Sequence, residues 1–316
     1  MRKLAQFSWS VLVYNLAVIA WGAYVRATRS GAGCGAHWPL CNGEVIPQAP
    51  SVEMLVEFSH RVSSGLALVA VVALFAWTWR ACPRGHRARR GAAWSMAFML
   101  TEAGVGAALV LFQLVAENQS MARALFMSAH LTNTFLLLAS LALTAWWLTE
   151  GGTARTGWVG ADATAPAAGA TAVRFGVGAV AILAAGISGA VAALGDTLFP
   201  SGSLAQALGA DLSATSHTLI RLRLFHPAIT LVVAAALVIM GIRSGFESHG
   251  AARRLGFALA GLAVMQVLVG FTNVMLLAPV WMQMTHLLVA DALWIAFVLL
   301  GASMRDRRQT PVPAVR

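Results

Sequence analysis

The sequence predicts an all-α integral membrane protein: eight transmembrane helices forming two four-helix bundles related by a pseudo-twofold axis, with both termini cytoplasmic. Three observations predict it. The 316 residues are 59% hydrophobic and only 11% charged, where ordinary soluble domains carry about 25% charged residues. Eight stretches reach the ~20 apolar residues that a helix needs to cross a hydrocarbon core. The second half of the chain also repeats the landmarks of the first.

Residues 1–150 form the first half. Its opening span, Ser8–Val25, follows Met1-Arg2-Lys3. A basic start before an apolar run has the outline of a signal peptide, but no small-residue cleavage site follows, so the run is read as a spanning helix. Met54–Trp79, Ala92–Val115 and Met121–Leu148 complete the half. A stretch rich in Gly, Ala and Thr without apolar periodicity, residues 151–173, is read as a cytoplasmic linker. Phe175–Leu194, Thr218–Gly241, Leu255–Ala278 and Val280–Met304 make the second half, residues 174–316. The helices read as continuous, with a local kink expected at Pro227.

The repeat is carried by short motifs. "WGAYVRATRSG" precedes "EFSHR" in the first half, and "SGAVAALGD" precedes "RLFHP" in the second. The interval from Gly22 to His60 matches that from Gly189 to His226 to within one residue. "TEAGVG" (Glu102 to Gly106) corresponds to "MQVLVG" (Gln266 to Gly270), and each half then reaches another histidine, His130 or His286. An even number of spans per half preserves orientation, so the repeat is parallel and its axis runs along the membrane normal.

A net charge of +10 could suggest a nucleic-acid partner, but the positions of the basic residues argue otherwise. With the N-terminus inside, Arg2, Lys3, Arg80, Arg84, Arg87, Arg89, Arg90, Arg155, Arg174, Arg243, Arg253, Arg254, Arg305, Arg307, Arg308 and Arg316 fall inside. Arg26, Arg29, Arg123, Arg221 and Arg223 fall outside, and Arg61 lies within the membrane. This is the positive-inside bias. It implies a multi-pass protein of a bacterial inner membrane, partnered by lipid and not by nucleic acid.

Cys34 and Cys41 lie in the first outer loop, "SGAGCGAHWPLCNG". Two thiols this close in an oxidising compartment can close a disulfide, either as a loop staple or with a redox role. Cys82 falls on the inner side and reads as a free thiol.

Four of the eight histidines, His60, His130, His226 and His286, are intramembrane, one on each even-numbered span. Counted from the outer ends of their spans, they lie roughly 9–14 Å deep at 1.5 Å per residue, in one layer. A single such histidine is simply interhelical hydrogen-bonding glue. Four at repeat-related positions point further, because intramembrane ionisable groups are costly and mark function. Paired imidazoles within a four-helix bundle suit axial ligation of a heme iron, here His60 with His130 and His226 with His286.

The two pairs have different neighbours. Glu57 stands three residues before His60, while Arg223 stands three before His226. Positions i and i+3 share a helix face, so Glu57 is expected near whatever His60 holds, where a carboxylate could move protons or stabilise a developing cation. The competing reading is an ion pair with Arg61 or Arg26. Arg61 is assigned charge balance, and Arg223 suits a heme propionate. Glu102 and Asp291 are either proton-path residues or internally hydrogen-bonded. The first half thus reads as reactive and the second as passive.

Taken together, the eight spans in two halves, "GAYVRATRSGAGCGAHWPLCNG", "EFSHR" and the placed histidines resemble the bacterial heme A synthases over nearly the whole chain. The resemblance implies oxidation of the C8 methyl of heme O to a formyl group by two successive hydroxylations, the geminal diol then losing water, to supply heme A to cytochrome oxidases. It implies heme B as the cofactor, ligated by His226 and His286, and a substrate heme held by His60 and His130. Glu57 becomes the residue nearest the oxidation, and Cys34 with Cys41 the outer-loop pair. Implied partners are heme O, molecular oxygen or water, an electron partner, heme O synthase and further copies of the chain. One departure stands out: some relatives have a second Cys pair between the fifth and sixth spans, where "GDTLFPSGSLAQALGADLSATSH" has none. Two rival classes are a bis-histidine electron-transfer cytochrome, for which ligands near both membrane faces are expected, and a transporter, for which broken helices and a midplane site are expected.

Overall fold

The computed structural model describes residues 1–150 and 166–307. Residues 151–165 of the expected linker, with Arg155, and the tail containing Arg308 and Arg316 lie outside the described residues. The described chain is helical, and its only β pairing is an isolated bridge between Cys41 and Glu44. Its helices are α1 (Arg2–Ala27), α2 (Val52–Ala81), α3 (Arg87–Leu111), α4 (Met121–Thr149), α5 (Pro166–Leu198), α6 (Leu204–Leu212), α7 (Thr218–Leu222), α8 (Phe225–Glu247), α9 (Gly250–Met275) and α10 (Val280–Arg307). Eight spans among the described residues are long and apolar enough to cross a membrane, with α7 and α8 together making one of them. It is a multi-pass, all-helical membrane fold.

Helix ends follow local chemistry. Ser51, Ser120 and Ser203 cap α2, α4 and α6, each side chain accepting a backbone N–H that the first turn leaves unpaired. Cys82 ends α2 in an extended conformation, the one favoured for a residue before proline, here Pro83. Its thiol is free and buried, and burial pushes it up.

The repeat is visible in the backbone. Phe112 and Leu276 end α3 and α9 with near-identical dihedrals. The next residues, Gln113 and Leu277, both turn to positive φ, 53° and 60°. In each turn an N–H reaches back five residues, from Leu114 to the Leu109 carbonyl and from Ala278 to that of Asn273.

The halves meet through α1, α4, α5 and α10. The Trp294 Nε1–H donates to the Phe135 carbonyl at 2.6 Å, and the two rings stack at 5.5 Å. On the side that carries the disulfide loop, Arg26 donates to the Ala193 carbonyl, Thr197 Oγ1 and Gln283 Oε1 at 2.8–2.9 Å. Arg26 is therefore a clamp between halves and does not pair with Glu57.

The sixth span carries the expected disturbance at Pro227: α7 stops at Leu222 and α8 starts at Phe225, while Arg223 and Leu224 between them keep right-handed helical dihedrals. Pro227 has no N–H to return to the Arg223 carbonyl, and that carbonyl instead accepts from His226 N, one residue nearer, at 3.3 Å. The loop between the fifth and sixth spans also contains the short helix α6, capped by Ser203.

Candidate functional site

The first outer loop is held down from two directions. Cys34 and Cys41 form a disulfide with Cα atoms 4.4 Å apart, and both residues are buried. Beneath them, Glu57 is 3% exposed; this burial matters because both its oxygens are taken. Oε2 accepts the Cys34 N–H at 2.7 Å, and Oε1 accepts Arg61 Nε at 3.1 Å and Nη2 at 2.5 Å. Arg61 Nη1 then donates to the carbonyls of His37 and Leu40 at 2.6 and 2.7 Å. The Arg61 ion pair foreseen as the competing reading is thus present, and it joins α2 to the disulfide loop.

His226 and His286 come together across α8 and α10. The rings of His226 and His286 face each other with centroids 6.2 Å apart and planes at 90°. Nδ1 of His60, His130 and His286 is buried without a hydrogen-bond partner. His226 Nδ1 shares a 3.0 Å hydrogen bond with Ser188 Oγ. Among the described residues no three His, Cys, Asp or Glu side chains converge, so His226 and His286 offer two facing imidazoles and not a metal cluster.

Each histidine also has a glycine facing it from the preceding span. A Cβ added to Gly22 would stand 2.8 Å from His60 Cε1, one on Gly189 2.9 Å from His226 Cε1, and one on Gly270 2.9 Å from His286 Cε1. The corresponding distance from Gly106 to His130 is 4.0 Å. The glycines that marked the sequence repeat are therefore the surfaces against which the imidazoles rest. The repeat spacing pointed to them, but only their contacts give the reason.

The comparisons with known proteins agree with this geometry. The COX15-CtaA family, described as cytochrome oxidase assembly protein, matches residues 5–298. The chain belongs to this family. A Thermus thermophilus protein named protoheme IX farnesyltransferase is 50% identical over 306 residues, covering 96% of this COX15-CtaA chain and 49% of the relative. Proteins named heme A synthase are similar over shorter stretches. That of Exiguobacterium sp. is 41% identical over 112 residues, 35% of this chain and 37% of its own. That of Halalkalibacterium halodurans is 36% identical over 141 residues, 45% of this chain and 47% of its own. The COX15-CtaA chain spans about half the length, or less, of these relatives.

Other polar groups divide between the halves. Glu102 of this COX15-CtaA chain lies with Oε1 3.5 Å from His130 Nδ1 and accepts from Asn133 Nδ2 and Thr134 Oγ1. Its repeat counterpart, Gln266, lies with Nε2 3.2 Å from His286 Nε2. Arg223 is held by Asp196 at 3.0 Å and by Asp211, yet its Nη2 is buried without a partner. Asp291 is fully buried with both oxygens unpartnered. Ser188, Asp196 and Asp211 were missed in the sequence. Ser188 and Asp196 left a trace there, as the first and last residues of the repeat motif "SGAVAALGD".

Proposed function

We propose that the chain is a heme A synthase, an oxidoreductase that converts the C8 methyl group of heme O to a formyl group for cytochrome oxidase. The observation that carries the reading is the pair of facing imidazoles, His226 and His286, with His60 and His130 at the corresponding positions of the sequence repeat, in a chain of this family.

The residues fit a heme in each half. Two metal–imidazole bonds of about 2 Å each, plus the inner half-widths of the rings, account for a centroid separation such as that of His226 and His286. In this reading those two hold heme B, and His60 with His130 hold the substrate. Orphaned ring nitrogens support it, because a buried polar atom without a partner is costly. The open Nη2 of Arg223 suits a heme propionate.

When bound, the heme iron supplies the redox chemistry that an unactivated methyl group requires. The chain's residues position and partition. Glu57 brings a buried carboxylate within one helical turn of His60, where it serves proton removal or stabilises positive charge building at the methyl carbon. Arg61 holds that carboxylate and ties the disulfide loop over it. In the second half Arg223 replaces Glu57, so no carboxylate stands at that position, and the resident heme is left to carry electrons. The inner side of a bacterial inner membrane takes the termini and most basic residues by the positive-inside rule.

The Thermus relative, about twice this chain's length, carries the name of a farnesyl-transferring enzyme, and this supports a partner that makes heme O beside this site. Oxygen or water and an electron partner complete the reaction. The test is mass spectrometry of hemes extracted from the purified protein, expressed with a heme O supply. Heme B together with heme A or a hydroxylated intermediate is expected. Heme B alone, despite abundant heme O, would favour an electron-transfer cytochrome.

A further inference from the structure

The four histidines are not held alike, and the difference falls in the first half. Gly22, Gly189 and Gly270 leave no room behind His60, His226 and His286: an added methyl group would come to 2.8, 2.9 and 2.9 Å, where something must shift. Behind His130, a methyl group on Gly106 would sit at 4.0 Å, in ordinary contact. The helix packing that fixes three imidazoles therefore leaves the fourth a gap of about one methyl group.

His130 is approached instead by a side chain. Glu102 Oε1 stands 3.5 Å from its Nδ1, and Asn133 and Thr134 fix that carboxylate in place. A carboxylate at this distance guides an imidazole but does not wedge it as a helix backbone does.

We propose that His130 is the yielding ligand of the first half. It withdraws toward α3 while His60 stays seated on Gly22, and Glu102 is the positioning residue that returns it. This rests on the heme reading above and deepens it. A site that takes in one heme and releases another needs one axial ligand able to let go, whereas a resident heme needs two that cannot. The contrast between Gly106 and the other three glycines divides the pairs in that way.

The test uses the full chain in detergent with heme in both halves, reduced with dithionite and titrated with carbon monoxide while the absorption spectrum is followed. Carbon monoxide is expected to displace a ligand from one heme per chain, and the same signal should persist in His226→Ala, which lacks the second-half heme. Gly106→Val, which fills the gap, is expected to weaken carbon monoxide binding several-fold. Glu102→Ala, which removes the guide, is expected to strengthen it. Binding to neither heme, equal binding to both, or unchanged affinity in heme-loaded Gly106→Val would each overturn the inference. If Gly106→Val fails to fold, the unmodified protein and Glu102→Ala still decide. An unmodified chain that retains only the heme lost in His226→Ala would overturn the heme reading of the first half, and the inference with it.

Discussion

Arg61 grips Glu57 through two nitrogens on one oxygen, Nε at 3.1 Å and Nη2 at 2.5 Å, and leaves the second oxygen to the Cys34 N–H. The carboxylate thus anchors the disulfide loop, and in the proposed reading it is also the charge that serves the first histidine pair. The two roles separate by substitution. Glu57→Gln keeps an acceptor for the Cys34 N–H and loses the charge, while Glu57→Ala loses both. Both variants are expected to keep heme bound and to stop formation of heme A, with Glu57→Ala the less stable. Normal heme A output from Glu57→Gln would remove the charge from the mechanism.

Removing one partner of the buried pair should cost more than a surface ion pair does. Arg61→Ala leaves Glu57 uncompensated and frees the His37 and Leu40 carbonyls. Loss of a buried partner costs about 3–5 kcal/mol; here it should appear as a lower thermal midpoint in detergent and faster proteolysis of the first outer loop. A midpoint unchanged from the parent would show that the loop stands without Arg61.

Gly189→Ala places a methyl group 2.9 Å from His226 Cε1. Overpacking of this kind costs about 1–3 kcal/mol, and here it falls directly on a ring proposed as a ligand. The variant is expected to lose heme B or to shift its reduction potential and absorption bands, with the fold retained. Gly65→Ala, where no atom stands within 4 Å of the added methyl group, is the control and should leave the spectrum unchanged. His226→Ala should lose heme B outright, and a full heme B content would refute that assignment.

The joint between the halves can be probed at Trp294. Trp294→Phe keeps an aromatic ring for the Phe135 stack but leaves the Phe135 carbonyl without its donor. An unsatisfied buried acceptor costs about 1–3 kcal/mol, to be read as a drop in thermal midpoint. No change would mean that another donor takes over the carbonyl.

Cys34→Ser with Cys41→Ser removes the loop closure. A native cross-link contributes about 2–4 kcal/mol, so thermal unfolding should begin earlier, with loss of first-half heme ahead of second-half heme. Simultaneous loss from both halves would show that the loop braces the whole molecule.

Much of the fold was legible because lipid imposes a simple rule. A spanning segment must satisfy its own backbone and present apolar side chains, and runs such as Met121–Leu148 leave no other reading. Histidines within those runs were equally visible, since an ionisable group there is costly. Pro227 was legible as a disturbance, but its extent was not. The Arg223 carbonyl that Pro227 leaves without its donor is taken by His226 N, one residue nearer, so the disturbance stays within one tightened turn. The loop helix α6 was passed over because a short capped segment has no long period to betray it.

The sequence by itself determined the class, the count of spans, the repeat and the identity of the four histidines, because hydropathy and spacing are properties of the chain read in order. Only the tertiary structure decided what those residues touch. It paired Glu57 with Arg61 and sent Arg26 to α5 and α10. It also gave the repeat glycines their purpose, seating three imidazoles on helix backbone and leaving His130 with room. The physical reason is that close packing is set by contacts between spans far apart in sequence, at separations where a single methyl group changes the outcome.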